Sequence, residues 1–394
     1  MIELKGNYTD CKIFTDQVEE TAITQVKDFL NHIAFKDCRT RFMPDIHAGK
    51  GSVIGTTVEL SGMVIPNVIG VDIGCGMLSA KIGKIDIDLA KLDEFISNNI
   101  PSGQRVNPKE PFSTAYYDSL RKDILKVCNK IELAPERVLH SLGTLGGGNH
   151  FIELGVDEEE NKWLTIHSGS RNFGLKVAKY HTRIAEKSCK NKKVDLSNIP
   201  LKNRESYLKS HKPEKIQKGM EYLVGSEAND YLNDMRLAQE YASFNRKSMI
   251  EKIINHLNIK VYQWDRIESV HNYINFTDNI IRKGAISAHE EEFVVIPWNM
   301  RDGLIIGVGL GNEDWNYSAP HGAGRNFSRT KAFETINLED FEESMKGIYS
   351  TSVVQANIDE SPFAYKDYKE VEKHLSETVE IIHRVKPIYN FKAK

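Results

Sequence analysis

The sequence predicts an α+β fold: a single body of mixed sheets and helices over residues 1–394, with a helical insertion at 176–258. Three observations lead there. Glycine concentrates around 49–84, 143–148, 169–174 and 303–324, where short β-branched runs are punctuated by turns. Between these clusters lie long stretches with apolar residues at helical spacing. The two kinds of segment come in separate runs, without the regular βαβ alternation of a parallel sheet.

Along the chain, Asp16–Ile33 sets Val18, Ala22, Val26, Phe29 and Ile33 on one helical face. Residues 52–82 read as strands broken by glycine. Leu89–Ile100 and Tyr116–Ile131 read as helices, and Trp163–Ile166 as a strand running into a loop. Within the insertion, Lys187–Lys218 is basic, with ten Lys or Arg against Asp195, Glu205 and Glu214. Glu227–Leu257 then carries Tyr231, Met235, Ala238, Ala242, Met249 and Ile253 on one stripe. Strands return over 280–312, and a closing helix is expected from Tyr368 to Val385, stopped by Pro387.

Composition narrows the function classes. With 40% hydrophobic and 27% charged residues the chain is too apolar to be disordered. No stretch of about 18 residues lacks charge, so no membrane span is expected. A net charge of −3, from 52 Lys plus Arg against 55 Asp plus Glu, excludes a wholesale cationic nucleic-acid binder. Positive charge facing such a partner must be local, and Lys50, Arg171, Arg282, Lys283, Arg325 and Arg329 fall in or beside the glycine-rich loops. Five scattered cysteines and a start without a basic-then-apolar leader suggest free thiols and a cytoplasmic location.

Six segments carry residue types suited to chemistry. Gly70–Gly76 holds Asp72 and Cys75, a hard and a soft metal ligand three residues apart. Alone, it reads better as a buried cysteine in a turn. Gly146–Glu153 sets three glycines before Asn149 and His150, a backbone able to wrap phosphate, yet without the Gly-Lys-Ser/Thr of a P-loop. His167-Ser168-Gly169-Ser170-Arg171 suits a metal ligand beside an anion site, or an ordinary loop. His271-Asn272-Tyr273 has no specificity by itself. Pro320-His321-Gly322-Ala323-Gly324-Arg325 locks a histidine into a turn, where it can serve as nucleophile or base with an arginine to hold phosphate. Met43–Gly51 places Asp45, His47 and Lys50 where phosphates or solvent can meet them. Gly307–Gly311 lacks the spacing of a dinucleotide fingerprint.

The ordered series of these segments resembles the RtcB family of RNA-splicing ligases. It comprises MPDIHAGKGSVIG at 43–55, VDIGCGM at 71–77, LGTLGGGNHFIE at 142–153, HSGSR at 167–171, HNY at 271–273, RKGA at 282–285, GLGNE at 309–313, HGAGR at 321–325 and AYKD at 364–367. The resemblance implies a catalytic body, monomeric, that joins RNA with a 2′,3′-cyclic phosphate or 3′-phosphate to RNA with a 5′-hydroxyl. It implies GTP and two Mn²⁺ ions. Cys75 would bridge the ions, with His167 and His271 completing one site and Asp72 and His150 the other. His321 would carry GMP as a phosphoramidate, in the Gly322-Ala323-Gly324 turn. Asn149 would touch phosphate; Glu153, Tyr365 and Lys392 would meet guanine; Arg171 and Arg325 would hold RNA phosphates. Two departures stand near the implied guanine pocket. Trp298-Asn299 replaces the usual Gly-Ser, and the tail reads Lys392-Ala393-Lys394 where Lys-Gly is usual. A metal-dependent phosphoesterase acting on RNA cyclic-phosphate ends without ligation is the alternative.

Overall fold

The computed structural model describes residues 1–112, 114–190 and 216–393. Residues 191–215, most of the basic stretch 187–218, and Lys394 of the tail lie outside the described residues.

Two large sheets form the frame. The first contains β1 (Ile2–Lys5), β2 (Asp10–Ile13), β3 (Thr40–His47) and β4 (Ile54–Glu59). A two-strand ribbon follows, β5 (Met63–Val64) with the distant β9 (Leu223–Val224). The second sheet begins with β6 (Gly76–Gly83), β7 (Phe151–Val156) and β8 (Lys162–Ser168). It is extended by β10 (Arg266–Val270), while β11 (Asn272–Asn275) and β12 (Ile280–Lys283) return to the first sheet. Next come β13 (Ala285–Ser287), β14 (Phe293–Asn299), β15 (Gly303–Gly309), β16 (Ser318–Pro320) and β17 (Val379–Lys392). The strand orders are β1-β2-β3-β4-β12-β11 and β10-β6-β8-β7-β17-β15-β14. Only the β2–β3 pairing is parallel among the described strands. This agrees with the α+β expectation and the missing βαβ alternation.

The helices expected at 16–33, 89–100 and 116–131 form as Glu20–Leu30, Leu89–Asn99 and Ala115–Lys130. The last two start on side-chain caps: Asp88 accepts from the Lys91 N–H and Thr114 from the Tyr117 N–H. In the insertion, Arg171–Lys190 and the 33-residue Gly225–Leu257 are helical. At 1.5 Å per residue the second is about 50 Å long. Every residue of its expected stripe is buried. Its first half, through Tyr231, Met235, Ala238 and Tyr241, packs with Phe29, Phe42, Val58 and Phe173. Its last turns, through Met249, Ile250, Ile253 and Ile254, pack with Leu78, Ile152, Leu154 and Ile166 of the second sheet. One rod is therefore shared by two apolar cores.

The closing helix expected over Tyr368–Val385 is corrected by the structure. A short helix covers only Tyr368–Glu372, and from Val379 the chain is the 14-residue strand β17 between β15 and β7. Val379 and Val385 are buried while Glu380, Ile382 and Arg384 face solvent, a period of two where the sequence predicts 3.6. Pro387 does not stop the element. It sits at a register shift between Pro387 and Tyr389, where a missing N–H costs no ladder bond.

Candidate metal and nucleotide site

Strand register gathers the ligand-type residues. Met77 of β6, His167 of β8 and Phe151 of β7 are paired across neighbouring strands. Cys75, just before β6, and His150, just before β7, therefore end beside His167. The His271 N–H donates to the Cys75 carbonyl at 2.9 Å, which brings the β10–β11 junction to the same place. Beneath them, the fully buried Arg246 of the long helix donates to the Gly74 and Ser168 carbonyls, both at 2.7 Å, and pairs with Glu268.

The five residues form two groups that share the thiol. Cys75 Sγ lies 3.2 Å from His167 Nε2 and 3.5 Å from His150 Nε2. His167 Nε2 is 3.3 Å from His271 Nε2, and His150 Nε2 is 3.1 Å from Asp72 Oδ2. The Nδ1 atoms of His150 and His167 face the Leu145 and Asn149 carbonyls, both at 3.0 Å. A carbonyl there requires a proton on Nδ1, which leaves the Nε2 lone pairs aimed at one another. Lone pairs converging on a thiol and a carboxylate suit divalent cations, so the donor set fits metal. Burial, then the Asp72 charge, pushes the Cys75 thiol well above its ordinary range. Burial, then neighbouring histidines, holds His167 and His271 well below theirs. Burial raises Asp72, but the His150 hydrogen bond and charge outweigh it and the net shift is downward. A bound cation would resolve the conflict by stabilising the thiolate. A third grouping, His181, Asp230 and Asp234, holds Lys130 instead, with Nζ 2.7 and 2.6 Å from the two carboxylates.

Two glycines of the loops are dictated by close approach. Gly146 has φ +93°, and a Cβ there would lie 1.9 Å from Arg171 Nη1. A Cβ on Gly169 would lie 2.2 Å from Asp72 Oδ1. Either side chain would displace a group at the site.

His321 stands next to this cluster, its ring centroid 5.0 Å from that of His271. Its Nδ1 is 2.6 Å from Oδ2 of the fully buried Asp45, on β3. The carboxylate fixes the proton on Nδ1 and leaves the Nε2 lone pair able to act as base or nucleophile.

From the metal-type cluster a cavity of about 270 Å³ runs past His321 to Glu153, Asn390, Tyr365, Lys392 and Trp298. Glu153 is buried, with Oε2 accepting from Asn390 Nδ2 at 2.9 Å and Oε1 without a partner. Burial lifts its carboxyl to about 8, against the pull of Asn390 and Lys392. Glu360, which the sequence did not single out, is the hub of this end. Its carboxylate accepts from Lys392 Nζ at 2.8 Å, Tyr365 Oη at 2.7 Å and Arg325 Nη1 at 3.3 Å. Burial opposes its charge, yet Lys392 and then Arg325 hold it down at about 2.

The other site expectations sort by partner. Asn149 and the Gly322-Ala323-Gly324 turn line the cavity. Arg171 donates to Thr144 Oγ1 and the Gly103 carbonyl, at the rim of the Gly146 loop. Arg282 and Lys283 do not belong to a surface charge patch: both are buried. Arg282 serves Asp278, Ser318 and two carbonyls, and Lys283 Nζ holds the Lys50 and Ser52 carbonyls. Trp298 is buried, lines the cavity and stacks on Tyr368 at 5.6 Å. Asn299 caps a turn by accepting from the Arg301 and Asp302 N–H groups.

Comparison with known proteins bears on this geometry. The family model "tRNA-splicing ligase RtcB" matches residues 28–393. The chain belongs to the RtcB family. It is 32% identical over 382 residues to the RNA-splicing ligase RtcB of Escherichia coli K12, covering 88% of each chain. It is 27% identical over 433 residues to the tRNA-splicing ligase RtcB of Aeropyrum pernix, covering 88% of this chain and 86% of that one. As an RtcB-family protein it is an RNA ligase with RNA as its substrate. No described helix is long and apolar enough to cross a membrane.

Proposed function

We propose that this ligase joins RNA ending in a 2′,3′-cyclic phosphate or 3′-phosphate to RNA with a 5′-hydroxyl, using GTP, two Mn²⁺ ions and a GMP carried on His321. The observation that carries the reading is the 2.6 Å contact of His321 Nδ1 with Asp45, beside a cluster of five metal-type ligands. Cys75, His167 and His271 would hold one ion, and Cys75, Asp72 and His150 the other. Two divalent cations there would screen triphosphate charge and polarise the α-phosphate. Mn²⁺ follows from the resemblance; the donor types suit several divalent ions.

In the first step the His321 Nε2 lone pair attacks the α-phosphorus of GTP. A P–N bond forms, the bond to the β-phosphate oxygen breaks, and pyrophosphate leaves. Asp45 holds the Nδ1 proton and stabilises the developing positive charge on the ring. The RNA 3′-phosphate then attacks the α-phosphorus and frees His321, and the 5′-hydroxyl oxygen displaces GMP. A cyclic phosphate is first opened by water to the 3′-monophosphate. Glu153, with an unpartnered oxygen in the cavity, accepts from the guanine N–H edge. Tyr365 and Lys392 bound the base, Asn149 donates to phosphate, and Arg171 and Arg325 hold RNA phosphates. We read 176–258 as an insertion in this catalytic body whose basic stretch bears on RNA choice.

Incubation with Mn²⁺ and α-labelled GTP is expected to label the protein, and His321→Ala to abolish the label. Metal-replete protein that takes no label, yet opens cyclic-phosphate ends, would establish the phosphoesterase alternative.

A further inference from the structure

A second cavity, of about 690 Å³, lies outside the cluster just described. Its walls are the helix Glu20–Leu30, the Gly49-Lys50-Gly51 loop, the helix Arg171–Lys190 and residues 217–220. Four cations line it: Lys50, Lys179, Arg183 and Lys218. All four are exposed, and none has an ion pair among the described residues. Two carboxylates also line it, Asp28 and Glu186, and Asp28 is engaged by the Gln217 amide at 3.1 Å. The balance is cationic, in a chain whose net charge is −3.

The groove abuts the metal-type cluster along two chain segments. His47 lines the first cavity and Gly49 the second; Asp72 lines the first and Val71 the second. Its walls are built. Gln25 Oε1 accepts from the Gly49 N–H at 3.1 Å, Lys283 Nζ holds the Lys50 and Ser52 carbonyls, and Asn67 Nδ2 donates to the Gly219 carbonyl at 3.1 Å. These bonds fix the backbone and leave the Lys50 side chain without a partner among the described residues. Lys179 and Arg183 are four residues apart, on one face of their helix. That helix begins at Arg171, beside the metal-type ligands, so the two cations stand roughly 12 and 18 Å along its axis from that end.

We propose that this groove carries the sugar-phosphate backbone of the RNA strand next to its reacting end, with Lys50, Lys179, Arg183 and Lys218 contacting successive phosphates. The inference rests on RNA being the substrate and not on the GMP-histidine step. Cations spaced along a groove whose Gln25, Asn67 and Gln217 amides are engaged within the protein fit backbone tracking, which is insensitive to sequence. Val71, exposed at the junction, offers an apolar contact to a base or ribose where the strand turns toward the metal-type cluster.

The test measures binding of a fluorescent single-stranded RNA with a 3′-phosphate over a salt series, beside ligation by the same preparations. Lys179→Gln with Arg183→Gln keeps helix-compatible side chains at exposed positions. The double variant is expected to bind on the order of tenfold more weakly, with the slope of log affinity against log salt shallower by about 1.4, roughly 0.7 per lost phosphate contact. Lys84→Gln with Lys122→Gln, outside the groove, is expected to change neither. Unchanged affinity and slope in the groove variant, with wild type ligating, would overturn the groove and leave the ligase reading intact. An equal change in the control pair would also overturn it, as an effect of net charge. Wild type that binds RNA through the groove but never ligates would instead count against the proposed function alone.

Discussion

The two ends of the cavity beside His321 are stabilised by different means. At the metal-type end, His150 and His167 are oriented by backbone carbonyls, and Cys75 sits in a turn that Arg246 secures through two more. At the far end, Lys392, Tyr365 and Arg325 converge on one side chain, Glu360, with Arg325 also donating to the Phe327 and Asp359 carbonyls. Backbone partners move only if the fold moves, so the first end is rigid before anything binds. A carboxylate hub can release its partners one at a time, so the second end can rearrange around a ligand. The two buried carboxyls of that end show the same division. Glu153, with an unused oxygen, is raised to about 8, while Glu360, with its three donors, is lowered to about 2.

The largest effect is expected where the two ends meet, at His321. Asp45→Asn should preserve packing but favour the wrong imidazole tautomer. Labelling of His321 by GTP should slow by about 10²–10⁴-fold, by analogy with loss of the orienting carboxylate in a catalytic triad. Cation uptake should not change. A rate within threefold of wild type would show that Asp45 does not orient the ring.

Next comes Cys75→Ser, which removes the ligand shared by both groups. Cation affinity measured by titration calorimetry should fall on the order of 100-fold, at the upper end of what loss of a supporting residue costs. Both sites should weaken together. Loss of one ion with the other unchanged would break the picture of a shared thiolate.

The smallest of the three is Glu360→Gln. It leaves Lys392 buried beside a neutral amide and should cost about 3 kcal/mol in stability near neutral pH. The sign with pH follows from the lowered carboxyl. Its stabilising effect is complete above the unfolded value near 4.5 and is lost as pH falls toward about 2. The variant's unfolding midpoint should therefore approach that of wild type as acid is added. A gap that stays constant from pH 7 to pH 3 would show that the carboxylate charge is not what binds this end together.

The sequence made the metal-type end legible because its residues are chemically uncommon. A cysteine, an aspartate and three histidines next to glycine turns are conspicuous, and the family resemblance assigned them to two groups. Glu360 offered no such mark: it is one glutamate in a polar stretch, 35 residues from Arg325 and 32 from Lys392. Only the course of β17 between β15 and β7 brings Lys392 to it, and the sequence predicts a helix over the first half of that strand. Asp45 lay in a segment already singled out for phosphate contact. Its role depends on β3 passing His321, 276 positions later, which no local pattern records. Arg282 and Lys283 were counted as surface charge because burial of a cation on backbone carbonyls leaves no trace in composition.

The long helix Gly225–Leu257 has a bearing on how the molecule comes apart. Because it lends apolar residues to two cores and Arg246 to the carbonyls beside Cys75 and His167, neither core can melt without dragging at the ligands. A cation bound there would therefore report on, and reinforce, the whole body through mass action. The slowest-exchanging amides of 228–254 should share one opening free energy, and that value should rise with metal concentration.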